Sequence, residues 1–277
     1  MIDGHTLLVP HIGYPTGSFK APMIYNPWFE SRGVNAVVVP LAVTADDFVA
    51  TMKALSLVRN MRGALITMPH KIAVVDLLAE RSKAVAIAGS CNAVLRRDDG
   101  SYAGDMFDGT GFTRGLANKG FRVAGSRCLV VGSGGVGSAI AAALAADGAT
   151  AIAVNDTNPA TAEGLGARLR RHYPAIDVSV RSNDPAGFDL VVNATPLGMK
   201  PGDPLPFDAG RLSASTFVGE VVMKQEITPL LAAARARGCR IQVGTDMLFE
   251  MIPAYLEYFG FGRATADDLR AVAQVSY

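Results

Sequence analysis

Apolar residues in this chain come in short unbroken runs, alternating with stretches where they recur every three or four positions. The runs suit strands buried on both faces, the recurrences suit helices with one buried face, and their alternation predicts an α/β fold. Leu7-Leu8-Val9-Pro10-His11-Ile12-Gly13 reads as a strand running into a glycine turn. A helix is predicted over 21–31, where Pro22 is tolerable in the first turn. After a strand over 36–41, Thr44 is expected to cap a helix whose first turn carries Asp46 and Asp47, as the helix dipole favours. A strand over 63–67 leads to Pro69-His70-Lys71 and then a helix through Val74 to Leu78. Residues 91–95 and 101–104 flank Arg97-Asp98-Asp99-Gly100, a hairpin-type turn.

A helix within 105–119 is expected to leave this first region. Strands over 128–131, 151–154, 177–180, 189–192, 215–219 and 238–243 follow, then helices over 246–259 and 264–275. No long linker interrupts the chain, so the border between its halves is expected to be a crossing helix.

One stretch carries chemistry by its layout. The strand Cys128-Leu129-Val130-Val131 runs into Gly132-Ser133-Gly134-Gly135-Val136-Gly137 and then a helix, and 19 residues past Gly137 Asp156 closes the next apolar strand. That is the strand–turn–helix–strand unit that binds a dinucleotide. Gly132 would allow the tight turn, Gly134 would let the backbone approach the pyrophosphate, and Gly137 would let helix and strand pack closely. The pyrophosphate would sit on the helix N-terminus, with Gly135 and Val136 in its first turn. Asp156 would accept hydrogen bonds from the ribose hydroxyls of NAD and repel the 2′-phosphate of NADP. No basic residue lies in Asn155-Asp156-Thr157-Asn158-Pro159, so NAD is favoured over NADP.

The 277 residues suit one large or two ordinary domains, and 49% hydrophobic content is ample for a core. The expected fold class is α/β with two domains, an N-terminal α/β substrate domain and a C-terminal Rossmann-type NAD(P)-binding domain. The boundaries are 1–105 for the substrate-binding catalytic domain, 106–243 for the dinucleotide domain, and 244–277 for C-terminal helices packing back toward the substrate domain. A small substrate would meet the nicotinamide in a cleft between the domains. A net charge of +1 gives no reason to expect a nucleic-acid or membrane partner. Cys91, Cys128 and Cys239 are scattered among apolar residues, as in a reduced cytoplasmic protein without a disulfide or metal framework. No signal peptide or membrane span is expected, and the chain is taken as a monomer or homodimer.

Five segments in order resemble the shikimate/quinate dehydrogenase family, nearly end to end. Thr67-Met68-Pro69-His70-Lys71 resembles its Thr-x-Pro-x-Lys segment with the catalytic lysine, and Gly89-Ser90-Cys91-Asn92-Ala93 its Gly-Ala-x-Asn-Thr segment. Gly104-Asp105-Met106-Phe107-Asp108-Gly109 resembles the segment whose second aspartate is catalytic. Asn193-Ala194-Thr195-Pro196-Leu197-Gly198-Met199 resembles the loop beside the nicotinamide, and Glu226-Ile227-Thr228-Pro229-Leu230-Leu231 a stretch ending in Thr-Pro-Leu-Leu. The resemblance implies an NAD-dependent alcohol dehydrogenase linked to aromatic amino acid biosynthesis. Lys71 would take the hydroxyl proton, Asp108 would orient Lys71, Asn92 would fix a neighbouring hydroxyl, and Thr67 would contact substrate. Asn193, Thr195, Pro196 and Gly244 join the cofactor residues, Asn193 lining the crevice at its strand end. His70 either contacts substrate or only tunes the field around Lys71.

The departures fall on substrate contacts. The two serines that bind the substrate carboxylate in the family align with Phe19 and Ala21, with Thr16, Ser18 and Lys20 nearby. A tyrosine is replaced by Met223, a glutamine by Met251, and an Asn-Thr pair by Met106-Phe107. Apolar groups cannot repay the desolvation of a polyhydroxy acid, and each lost bond to a carboxylate costs on the order of 1.5–3 kcal/mol. The expectation is an intact redox apparatus with a rebuilt pocket for a cyclic hydroxy acid or a less polar relative. The alternatives are a shikimate 5-dehydrogenase proper whose acid group is held elsewhere, for instance on Lys20, and a non-catalytic dinucleotide sensor. A methylenetetrahydrofolate dehydrogenase type fits the 193–199 and 228–231 runs less well.

Overall fold

A computed structural model describes residues 2–180 and 183–275. The chain forms two compact units: residues up to Phe107 with those from Ile252 onward, and Asp108–Met251. The sequence had drawn the borders at 105 and 243. Helix α8 (Gly244–Phe259) contributes residues to both units, because its apolar positions continue through Met251 and Ile252 without a break.

The first unit holds a six-stranded mixed sheet. Strands β1 (Leu7–Gly13), β2 (Ala36–Ala42) and β3 (Gly63–Ile66) run parallel to one another. β4 (Glu80–Arg81), β5 (Ala93–Arg96) and β6 (Tyr102–Asp105) complete it in the order β2-β1-β3-β5-β6-β4, and β4 pairs parallel with β6. β5 and β6 pair antiparallel across the turn at residues 97–100, as the turn residues predict. Around the sheet lie α1 (Pro22–Arg32), α2 (Phe48–Leu55), α3 (Lys83–Ala88), the C-terminal half of α8, and α9 (Ala266–Val272).

Two local expectations are corrected here. Thr44 does not cap α2: the helix starts at Phe48 behind Asp47, and the Thr44 hydroxyl donates to Asp47 Oδ2 at 2.9 Å, which closes the turn before the helix. The segment after Lys71 is a 3₁₀ turn, Ala73–Leu77, not an α-helix. The segment is only five residues long, and 3₁₀ winding is common in such short connecting pieces.

The second unit is a six-stranded parallel sheet in the order β12-β11-β10-β7-β8-β9. Its strands are β7 (Arg127–Val131), β8 (Ala151–Asn155), β9 (Asp177–Val180), β10 (Leu190–Asn193), β11 (Phe217–Glu220) and β12 (Arg240–Gln242). The helices are α4 (Asp108–Asn118), α5 (Gly135–Ala146), α6 (Pro159–His172), α7 (Pro229–Ala236) and the first half of α8. Helices cover both faces of its central strands, so their middles are apolar; Leu190, Val191 and Val192 of β10 are all 0% exposed. Each such side chain contributes roughly 1.5–3 kcal/mol on burial. Among the described residues no helix is long and apolar enough to cross a membrane.

Candidate active site

In the first unit the chain runs β1, β2, β3 while the sheet order is β2-β1-β3, so the winding reverses at β1. Ligands of open parallel sheets bind beyond the carboxyl ends of the strands at such a reversal. Gly13 ends β1 there. A side chain on it would lie 2.5 Å from Thr67 Cγ2 and 2.8 Å from Phe19 Cζ, so glycine is what lets these three converge. The Thr67 N–H donates to Ile12 O at 2.9 Å and the Tyr14 N–H to Met68 O at 3.0 Å, which ties the two strand ends together. The peptide bonds Tyr14–Pro15 and Met68–Pro69 are cis.

Lys71 follows directly and is half-buried. Its carbonyl accepts the Cys91 N–H at 2.8 Å. The neighbouring Asn92 is 1% exposed, and its Oδ1 accepts the Phe107 N–H at 3.0 Å. Asp108 is the next residue after Phe107, opens α4 and is buried. Asn92 thus holds the backbone at the base of the segment that carries Asp108, a structural task beyond the hydroxyl contact the resemblance implies. Burial pushes the Cys91 thiol up to about 12, so it stays protonated and acts as a packing group.

Of the substituted positions, Phe19 stacks on the imidazole of His11, with ring centroids 4.1 Å apart. Ala21 is buried at the start of α1, Ser18 is exposed, and Lys20 is half-buried. Met223 follows β11, and the Met251 Cβ packs against Gly111, both in the second unit. His70 is a core residue: it is 1% exposed, its Nε2 lies 2.8 Å from Val43 O, and its ring stacks on Phe48. His11 belongs to none of the sequence motifs. Its one available signal was an imidazole on an otherwise apolar strand, two residues before the terminal glycine and therefore on the same face.

In the second unit the winding reverses at β7, between β8 and β10. Gly132 has φ +98° and turns the chain out of β7, while a side chain on Gly137 would come within 1.8 Å of Gly132 O. On Gly134 it would meet nothing within 4 Å. A cradle closed behind Gly137 and open in front of Gly134, at the N-terminus of α5, fits a dinucleotide pyrophosphate. Gly135 and Val136 are half-buried in the first turn of α5. Asp156 directly follows β8, and its Oδ2 accepts the Ser133 N–H while Oδ1 accepts the Asn158 N–H, both at 2.8 Å. It therefore also braces the glycine loop.

Asn193 departs from its expected place lining a crevice. It is 0% exposed, and its Nδ2 donates to Glu220 Oε1 at 2.6 Å and to Leu197 O at 3.1 Å. Its Oδ1 accepts from the Thr195 N–H and hydroxyl. It fixes the loop that carries Thr195 and Pro196. Glu220, also missed in the sequence, is buried beneath that loop, and the Thr228 hydroxyl donates to its other oxygen. Burial raises its carboxyl above the ordinary range, against the two hydrogen bonds that lower it. Gly244 starts α8 against the Val222 carbonyl, where a side chain would lie 2.2 Å away.

Comparison with known proteins falls on the same two units. Residues 11–94 match the family described as shikimate dehydrogenase substrate binding domain. The shikimate dehydrogenase (NADP(+)) of Rubrobacter xylanophilus is 36% identical over 89% of this chain and 88% of its own. The shikimate 5-dehydrogenase of Listeria monocytogenes, solved with shikimate and NAD, superposes with a TM-score of 0.89 at 26% identity, covering 98% of this chain and 97% of that one. A ligand-free 5-ketofructose reductase from Gluconobacter sp. strain CHM43 gives a TM-score of 0.85 at 25% identity, covering 96% of this chain and 97% of that one.

Proposed function

This chain belongs to the shikimate dehydrogenase family of nicotinamide-dinucleotide oxidoreductases, and from that membership we propose an NAD-dependent enzyme acting on a secondary alcohol or ketone of a cyclic hydroxy acid or a less polar relative. The observation that carries the reading is Lys71 just past β3, at the reversal of the first sheet where Thr67 and Phe19 converge on Gly13. A bound nicotinamide supplies the hydride acceptor. Lys71 takes the proton of the substrate hydroxyl, with Thr67 beside it. Asp108 is the carboxylate of the reaction. Asp156, with no basic neighbour in residues 155–159, supports NAD over NADP. NAD stands with shikimate in the Listeria relative, whereas the Rubrobacter relative is named for NADP. The less polar substrate is supported by Phe19, Ala21, Met223 and Met251. A cytoplasmic location belongs to the same reading, in keeping with three buried free cysteines.

The test is absorbance of reduced nicotinamide with a panel of cyclic hydroxy acids and polyols, with NAD and NADP in parallel. Lys71→Ala should lower kcat by roughly 10²–10⁴-fold, with NAD affinity nearly unchanged. Equal loss of both would remove the role given to Lys71. Asp156→Ser should raise KM for NAD by about tenfold or more and leave NADP far less affected. Parallel loss with both cofactors would show that Asp156 only braces the loop.

A further inference from the structure

Two histidines are buried in the first unit, and they are treated differently. His70 has a partner for its Nε2 and a flat stacking neighbour. His11 is 9% exposed, and its Nδ1 is enclosed with no hydrogen-bond partner among the described residues. A core does not hold such a nitrogen without cost.

The placement of His11 gives that cost a use. It stands in register with Leu65 of β3, on the same face as Gly13 and two residues before it. Thr67 and Phe19 meet at Gly13, and Phe19 stacks on the His11 ring. Burial, and after it the positive charge of Lys71, hold the imidazole near about 3, so it is neutral at any working pH. A neutral imidazole carries one N–H and one lone pair. An enclosed lone pair is tolerated better than an enclosed N–H, which leaves Nδ1 bare and puts the proton on Nε2.

We infer that His11 is a substrate-positioning residue of this chain, donating its Nε2–H to an uncharged hydroxyl or carbonyl oxygen of the substrate ring, with Phe19 as the apolar wall beside that oxygen. The inference rests on the dehydrogenase reading for the identity of the ring compound. One neutral donor against an aromatic wall satisfies a hydroxyl or carbonyl oxygen. It leaves most lone pairs of a carboxylate dry, which disfavours an acid group at this point.

The experiment is calorimetric binding of shikimate and its uncharged methyl ester to the full chain, with NAD binding and turnover measured on the same preparations. The wild type should bind the ester at least as tightly as the acid. His11→Phe should weaken the ester about tenfold, one neutral hydrogen bond's worth, and His11→Gln, which restores an amide donor, should recover part of it. NAD affinity should stay within about twofold in both variants. Tenfold tighter binding of the acid, no binding of either compound, equal ester binding by His11→Phe and wild type, or a parallel loss of NAD binding would each overturn the inference. A wild type that binds the ester through His11 yet turns nothing over would leave this assignment standing and remove the dehydrogenase reading.

Discussion

His11 makes a prediction independent of any ligand. Its imidazole is lowered from 6.5 to about 3, by burial first, so the native state refuses a proton that the unfolded chain accepts. Its contribution to stability is therefore complete above pH 6.5 and drains away as pH falls from 6.5 toward about 3, at up to ~1.4 kcal/mol per pH unit. Urea unfolding of wild type and His11→Phe across this window should show the wild type losing ground to the variant as pH falls. Parallel curves would mean that His11 can be protonated in place. At the same scale, Lys71 and Asp108 stand out in the sequence only because they fall in segments that resemble family motifs. His11 and Glu220 do not, since whether a nitrogen or carboxyl finds a partner depends on residues far off in sequence. Glu220 is held by Asn193 and Thr228 from different elements.

Among the elements, the turn between β7 and α5 separates two jobs that glycine can do. Gly137→Ala forces a methyl to within 1.8 Å of Gly132 O, which pushes α5 off β7 and should cost at least about 1–3 kcal/mol in denaturant unfolding. Gly134→Ala meets no atom within 4 Å, so its stability should stay within about 0.5 kcal/mol of wild type while NAD affinity falls. Equal melting of the two variants would refute the division. The loop after β10 depends on its buried bracket. Asn193→Leu strips Glu220 Oε1 and Leu197 O of their donor, and should destabilise by about 1–3 kcal/mol or more. It should also weaken NAD binding through loosened Thr195 and Pro196, whereas unchanged NAD affinity would detach the loop from the cofactor.

Across the whole molecule the two units have their own sheets and cores, so a ligand should leave its mark on the unit that holds it. NAD at about 100 times its Kd should stabilise by ~2.7 kcal/mol. Added protection from hydrogen exchange is expected in residues 127–137, 155–158 and 190–199, and far less in β1 and β3. Protection centred on the first unit would contradict the assignment of the glycine turn. Both halves of the chain could be read in advance because their signals are local. Strand runs, turn glycines and the spacing from Gly137 to Asp156 lie within a few tens of residues, where chain geometry alone sets the outcome. Thr44 failed as a cap because a hydroxyl three residues before Asp47 can serve a turn as readily as a helix, and only the packing of Phe48 chooses. By itself, then, the sequence determined the alternation of elements and the glycine turn between β7 and α5. Tertiary structure alone decided that Asn193 supports a loop from within, that His70 is sealed in the core, and that His11 keeps an unmatched nitrogen against Phe19. Burial and hydrogen-bond satisfaction are settled between atoms that meet through space, and no spacing along the chain encodes those meetings.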